Sequence, residues 1–188
     1  MFELRSMSVD DTRAIASAVA GLARPGDLIV LAGEMGVGKT AFAQGFATAL
    51  GIVEPVTSPT YTIVHTYPAA TTATTATTAI ASTNTVTLHH ADLYRLEHTS
   101  EVDDLALDEL LDDAAIVLVE WGNVVELGDH LQIELRAVDD RCGPAAGGLA
   151  VFVTDGSTEV RDITITSSDR RWDIRRDRLV DALKQWAA

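Results

Sequence analysis

Leu28-Ile29-Val30-Leu31-Ala32-Gly33-Glu34-Met35-Gly36-Val37-Gly38-Lys39-Thr40 is the stretch whose reading decides the fold. Leu28–Ala32 is an unbroken apolar run of strand length, which suits a strand buried on both faces of a parallel sheet and flanked by helices. Gly33–Thr40 fits the P-loop pattern of Gly, four residues, then Gly-Lys-Thr. Lys39–Leu50 reads as a helix, with Phe42, Phe46 and Leu50 at four-residue spacing and Gly51 as its stop. The unit is strand, glycine loop, helix, in an α/β chain.

Working outward, Phe2–Met7 reads as a short opening strand, and Ser8 caps a helix with Ile15, Val19 and Leu22 on one face. Tyr61–Tyr67 and Thr85–His90 alternate as paired strands, and the Ala/Thr tract within residues 68–84 reads as a low-complexity hairpin insertion. Glu101–Asp113 reads as an acidic helix, most simply a solvated face, and Ala115–Val119 as a second fully apolar strand ending at Glu120-Trp121. Leu131–Val138, Leu149–Thr154 and Val160–Thr166 read as later, antiparallel strands. Asp139–Gly148 reads as a loop and Ile174–Trp186 as a closing amphipathic helix. Residues 1–188 are expected to form a single domain.

Composition narrows the function classes. The 188 residues are 47% hydrophobic and 22% charged, enough for a core without disulfides or structural metal. Asp and Glu total 28 against 14 Lys and Arg, a net charge of −14 that disfavours strong direct binding to tRNA or DNA. Cys142 stands alone, Met1–Asp10 lacks the marks of a signal peptide, and no run reaches spanning length, so a cytoplasmic protein without a membrane segment is expected.

The chemistry follows from residue types. Glycines let the loop curl its amide N–H groups toward phosphate oxygens, and the following helix N-terminus adds its dipole. Lys39 is placed to reach the β- and γ-phosphates, and the Thr40 hydroxyl to coordinate a bridging Mg2+. The expected nucleotide contacts are Gly33, Glu34, Met35, Gly36, Val37, Gly38, Lys39, Thr40 and Ala41, with Trp121 read either as a core or edge aromatic, its commoner fate, or as packing near the nucleotide beside Glu120. Asp92 follows the strand Thr85–His90 and Glu120 terminates the strand Ala115–Val119, which places both toward the sheet edge where the loop opens, so they are candidate metal-side carboxylates, with Glu120 also a candidate to orient water. By residue type alone, Asp92 reads equally as a helix N-cap and Glu120 as a solvated strand-end acid. Thr57-Ser58-Pro59-Thr60 reads either as a turn or as a segment that senses the γ-phosphate through Thr60. His89 and His90 are strand neighbours, whose side chains point to opposite faces, which argues against a shared zinc.

The P-loop, then Val56-Thr57-Ser58-Pro59-Thr60-Tyr61, then His90-Ala91-Asp92-Leu93-Tyr94-Arg95-Leu96, then Glu120-Trp121, resemble in order and spacing the TsaE (YjeE) family of bacterial ATPases. The resemblance implies a three-layer P-loop fold with a mixed central sheet, its parallel core flanked by helices. It implies a single ATPase domain that binds ATP or ADP with Mg2+, with Lys39 and Thr40 at the phosphates, and Asp92 and Glu120 around metal and water. It places Thr60 in a switch-like segment and makes Glu120, Lys39 and Thr60 the catalytic candidates. It also implies a role in threonylcarbamoyladenosine modification of tRNA, with a TsaD-like threonylcarbamoyl transferase and a TsaB-like protein as partners.

Three rivals share the loop. A small P-loop kinase would need mobile arginines over the phosphates, and Arg95 is the only arginine between Thr40 and Trp121. A nucleotide-binding assembly switch with little hydrolysis differs from the main reading only in turnover. A guanine-nucleotide switch lacks its Asn-Lys-x-Asp base-reading motif in this chain.

Overall fold

The structure is a computed structural model and describes residues 1–58, 64–71, 84–94, 107–112, 115–122, 127–138 and 160–188. Its strands are β1 (Phe2–Ser6), β2 (Leu28–Ala32), β3 (Val64–Thr71), β4 (Asn84–Asp92), β5 (Ile116–Glu120), β6 (Leu131–Ala137) and β7 (Arg161–Ser167). Its helices are α1 (Val9–Ala20), α2 (Lys39–Ala49), α3 (Leu107–Asp112) and α4 (Arg170–Leu183), followed by a 3-10 turn at Lys184–Trp186. The strands form one mixed sheet in the order β1-β7-β6-β2-β5-β4-β3. Strands β4, β5, β2 and β6 form the parallel core, and β3, β7 and β1 join by antiparallel pairing.

Every residue of β2 and β5 is buried, as their apolar runs require. Alternate residues feed two cores. Ile29, Leu31, Ile116 and Leu118 pack with α1, α2 and α4 through Ile15, Phe42, Phe46, Trp172 and Leu179. Leu28, Val30, Val117 and Val119 pack on the other face, where Leu110 and Leu111 of α3 close the layer. The expected three-layer α/β architecture is therefore present. Gly45 lets α1 and α2 approach closely, since a Cβ there would lie 2.5 Å from the Arg13 carbonyl oxygen.

Local signals fix the helix ends that frame the site. Ser8 caps α1 by accepting the Asp11 N–H at 3.0 Å. Helix α2 closes with Gly51 at φ +80°, where Ile52 N–H bonds Ala47 O and Gly51 N–H bonds Thr48 O.

Three expectations change. The Leu131–Val138 strand was expected to be antiparallel; β6 pairs parallel with β2 and antiparallel with β7. Its alternation of buried and half-buried residues, the usual mark of an antiparallel strand, arises because one of its faces is incompletely covered. The ladder also continues into the Ala/Thr insertion, with Pro68 opposite Thr87 and Thr71 opposite Asn84. Pro68 is tolerated because β3 is the edge strand. The closing helix begins at Arg170, four residues before Ile174, because Asp169 caps it by accepting the Arg171 N–H at 2.7 Å. Burial pushes the Asp169 carboxyl up, but hydrogen bonds from the Arg171 side chain and backbone, with the charges of Arg171 and Arg175, outweigh it and hold the group below its usual range. The Leu149–Thr154 strand, the Asp139–Gly148 loop, the centre of the Ala/Thr tract and the first half of the acidic helix lie outside the described residues. Among the described residues no helix is long and apolar enough to cross a membrane.

Helix α4 is fastened across the sheet edge by Arg175, which bonds both Asp27 oxygens at 2.7 and 2.8 Å and the Leu22 carbonyl at 2.7 Å. Asp27 is 1% exposed. Arg175→Met strands that carboxylate without its countercharge and is expected to lower unfolding free energy by about 3 kcal/mol, measured by urea denaturation against the wild type.

Candidate functional site

The parallel register sets the site. Asp92, the last residue of β4, lies beside Glu120, the last residue of β5, and Glu120 lies beside Leu31 of β2. The loop leaving β2 therefore opens next to both carboxylates, where parallel α/β sheets bind ligands. A cleft of about 460 Å³ lies there, lined by Met35, Gly36, Gly38, Lys39, Thr40, Ser58, Asp92, Tyr94, Glu120 and Trp121.

The loop's shape depends on glycine at two points. Gly33 has φ +133°, and a Cβ there would lie 2.3 Å from the Leu135 carbonyl oxygen on β6. Gly38 has φ +110° and is the N-terminal cap of α2. The first-turn N–H groups of α2 thus open toward the cleft without a side-chain cap.

Lys39 is 4% exposed, and its Nζ donates to the Gly33 and Glu34 carbonyls, both at 2.8 Å. The same ammonium sits 3.7 Å from the centroid of the Trp121 ring. Burial pushes its pKa down, and the negative charges of Glu120 and Asp92 oppose that shift.

Glu120, 2% exposed, accepts from the Thr40 hydroxyl at 3.2 and 3.3 Å and meets His90 Nε2 at 3.0 Å. Asp92 accepts the Ser58 hydroxyl at 2.5 Å through one oxygen and the Tyr94 N–H at 3.0 Å through the other. Asp92 thus holds the turn after its strand and faces the cleft as well. Tyr94 packs on Trp121 with ring centroids 4.9 Å apart.

Of the sequence candidates, Met35, Gly36, Gly38, Lys39, Thr40, Asp92, Glu120 and Trp121 meet at the cleft. Gly33 and Glu34 enter through the carbonyls that bind Lys39. Val37 is buried and Ala41 half-buried, and neither lines the cleft. Thr60 lies outside the described residues; Ser58, in the same expected segment, donates its hydroxyl to Asp92. His89 Nδ1 meets Thr66 at 2.9 Å on the neighbouring strand, whereas His90 meets Glu120. Sequence reasoning weighed His90 only as a zinc ligand. The signal was available, because His90 and Asp92 stand two apart on one strand and so share a face. Tyr94 and Ser58 were not singled out, and local pattern gives little reason to choose them.

A glycine loop between a buried strand and a helix, with two carboxylates closing the adjoining parallel strands, defines a P-loop α/β protein. Residues 6–142 match the family described as "Threonylcarbamoyl adenosine biosynthesis protein TsaE". The chain belongs to the TsaE family. It is 37% identical over 139 residues to the tRNA threonylcarbamoyladenosine biosynthesis protein TsaE of Bacillus subtilis, covering 72% of this chain and 78% of that one. The protein of the same description from Streptomyces coelicolor is 36% identical over 163 residues, 85% of this chain and 93% of that one. Among solved structures, that of Bacillus subtilis YdiB superposes with a TM-score of 0.66 at 27% identity, covering 95% of this chain and 93% of that one.

Trp121 has φ +64°, the left-handed region that a bulky residue rarely adopts, at the point where the chain turns from β5 over the cleft. Its N–H is bonded to Leu31 O at 2.9 Å, which holds the turn. Trp121→Gly and Trp121→Ala lose the same ring, but only glycine relieves the backbone. Denaturation midpoints should therefore show the glycine variant more stable than the alanine variant by about 1 kcal/mol.

Proposed function

We propose that the chain is an ATP hydrolase that works with a TsaD-like threonylcarbamoyl transferase and a TsaB-like partner in threonylcarbamoyladenosine modification of tRNA. The observation that carries this reading is the contact of Thr40 with Glu120 beside Lys39 and Asp92, in a chain of the TsaE family. ATP and ADP are the ligands of the P-loop, and the protein acts in the cytoplasm, where tRNA is modified.

The donor set fits a divalent cation. Asp92 and Glu120 bring two carboxylates against the single ammonium of Lys39, and Thr40 adds a hydroxyl. Mg2+ is commonly held by one or two carboxylates plus substrate phosphates, so Thr40, Asp92 and Glu120 are the residues to hold it. When bound, Mg2+ neutralises charge on the β- and γ-phosphate oxygens.

The remaining work falls to the chain. Thr40 donates its proton to Glu120, which leaves the lone pairs of its oxygen free to coordinate. Lys39 supplies a charge fixed over Trp121 at the mouth of the loop. The buried Glu120 carboxylate orients the attacking water and accepts its proton. Water oxygen bonds to the γ-phosphorus as the bond to the bridging oxygen breaks, giving ADP and phosphate. Ser58, bonded to Asp92, couples the metal side to the segment that carries Thr60. Release of phosphate loosens that segment and alters the surface presented to protein partners. A surface that acts on proteins accords with a net charge of −14, which gives no broad footing to a polyanion.

The test is phosphate release from Mg-ATP by the protein alone and with the TsaB–TsaD pair. The expected result is release that rises with the pair and vanishes in Lys39→Ala. Glu120→Gln should bind nucleotide as the wild type does and release phosphate about a hundredfold more slowly or worse. Release that is unchanged in both variants would reject the assignment.

A further inference from the structure

The carbonyl side of the P-loop is held by a residue from far along the chain. Strand β7 runs antiparallel to β6, and β6 runs parallel to β2, so β7 begins at the edge where β2 delivers the loop. Its first residue, Arg161, pairs with Ala137 at the end of β6 and with Ser6 of β1. From there Arg161 Nε donates to the Val37 carbonyl at 2.6 Å. Both residues are buried, at 9% and 5% exposure.

That carbonyl is outside the helical ladder. The Phe42 N–H of α2 bonds Gly38 O at 2.9 Å, so Val37 O stands one residue before this acceptor. A trans peptide points its C=O and the following N–H in opposite directions, and no cis peptide occurs among the described residues. Turning Val37 O onto Arg161 therefore turns the Gly38 N–H to the opposite side of the loop. Gly38 itself lines the cleft. A Cβ on Gly38 would lie 2.9 Å from Arg161 Nε, so the guanidinium packs directly against the loop. Residue 161 lies beyond the segment 6–142 that matches the family, which makes this a reading of the chain's own geometry.

We propose that Arg161 is a positioning residue for polyphosphate recognition: it locks the Val37–Gly38 peptide with its N–H available to phosphate oxygen and adds a fixed positive charge behind the loop. The ligand class is a nucleoside di- or triphosphate, so the inference rests on the nucleotide-binding reading of this cleft. Because the peptide contacts phosphate alike before and during reaction, its loss weakens binding without slowing chemistry.

The experiment titrates the full chain with a fluorescent ADP analogue and follows phosphate release from Mg-ATP for wild type, Lys39→Ala, Arg161→Met and Arg161→Lys, with thermal midpoints alongside. Arg161→Met is expected to bind the analogue about tenfold to a hundredfold more weakly and to raise KM for ATP with kcat nearly unchanged. Arg161→Lys keeps the charge and a donor, and should recover part of the loss. If Arg161→Met fails to fold, Arg161→Lys decides, with a weakening of about threefold to tenfold expected. Wild type that binds no better than Lys39→Ala sinks the nucleotide reading itself. Wild type that binds while the folded Arg161 variants match it within twofold, or lose kcat with affinity intact, overturns the role of Arg161 alone.

Discussion

A carboxylate with 2% of its surface exposed must be met by donors, and Glu120 is met by two elements at once. Thr40 approaches from the first turn of α2, and His90 from β4. The glycine loop, the helix it feeds and the neighbouring strand are therefore tied at one oxygen pair. Any drift of α2 relative to the sheet would leave a buried carboxylate short of its donors, at a cost of several kcal/mol. The same requirement keeps the cleft's chemistry and its mechanical support in the same residues.

The topology explains why so few residues suffice. Parallel neighbours end together, so β2, β4, β5 and β6 bring their C-terminal residues to one edge. An antiparallel strand on the same sheet starts where they end. Thus β6 and β7 frame the loop from its far side, with the Leu135 carbonyl against Gly33 and the Arg161 guanidinium against Val37 and Gly38. The loop is clamped on its carbonyl side by sheet atoms and left open on its amide side. Glycine is required at both clamped points because a Cβ would occupy the space the clamp uses.

What was legible in the sequence was what depends on local order. Leu28–Ala32, Gly33–Thr40 and the four-residue spacing of Phe42, Phe46 and Leu50 carry their own geometry, and the unit they predict is the one observed. Asp92 and Glu120 were found because strand ends in parallel sheets converge, a rule about classes of sheet that needs no coordinates. The direction of β6 was not legible, since alternation reports which face is covered and not which way the neighbour runs. The start of α4 was missed because Arg170 and Arg171 look solvent-facing, while the cap at Asp169 carries the signal. His90 could have been read from its two-residue offset to Asp92. Arg161 could not, because its contact with Val37 is created by the direction of β7 across 124 positions of sequence.

An anion-binding cleft in a chain of net charge −14 raises a question of range. Exposed charges are screened beyond roughly 8 Å at physiological ionic strength, so the acidic surface neither draws polyphosphates in from solution nor greatly repels them at contact. Recognition must come from groups within a few ångströms: the open N–H groups at the start of α2, the ammonium of Lys39 and the guanidinium behind Gly38. Both cations are held by backbone carbonyls of the loop itself, which fixes their position. Asp92 and Glu120 line the cleft where the proposed divalent cation would reverse their sign of effect. Affinity in such a site follows loop geometry far more than long-range field, and a change that leaves net charge unaltered but shifts one peptide plane should matter more than a surface charge reversal.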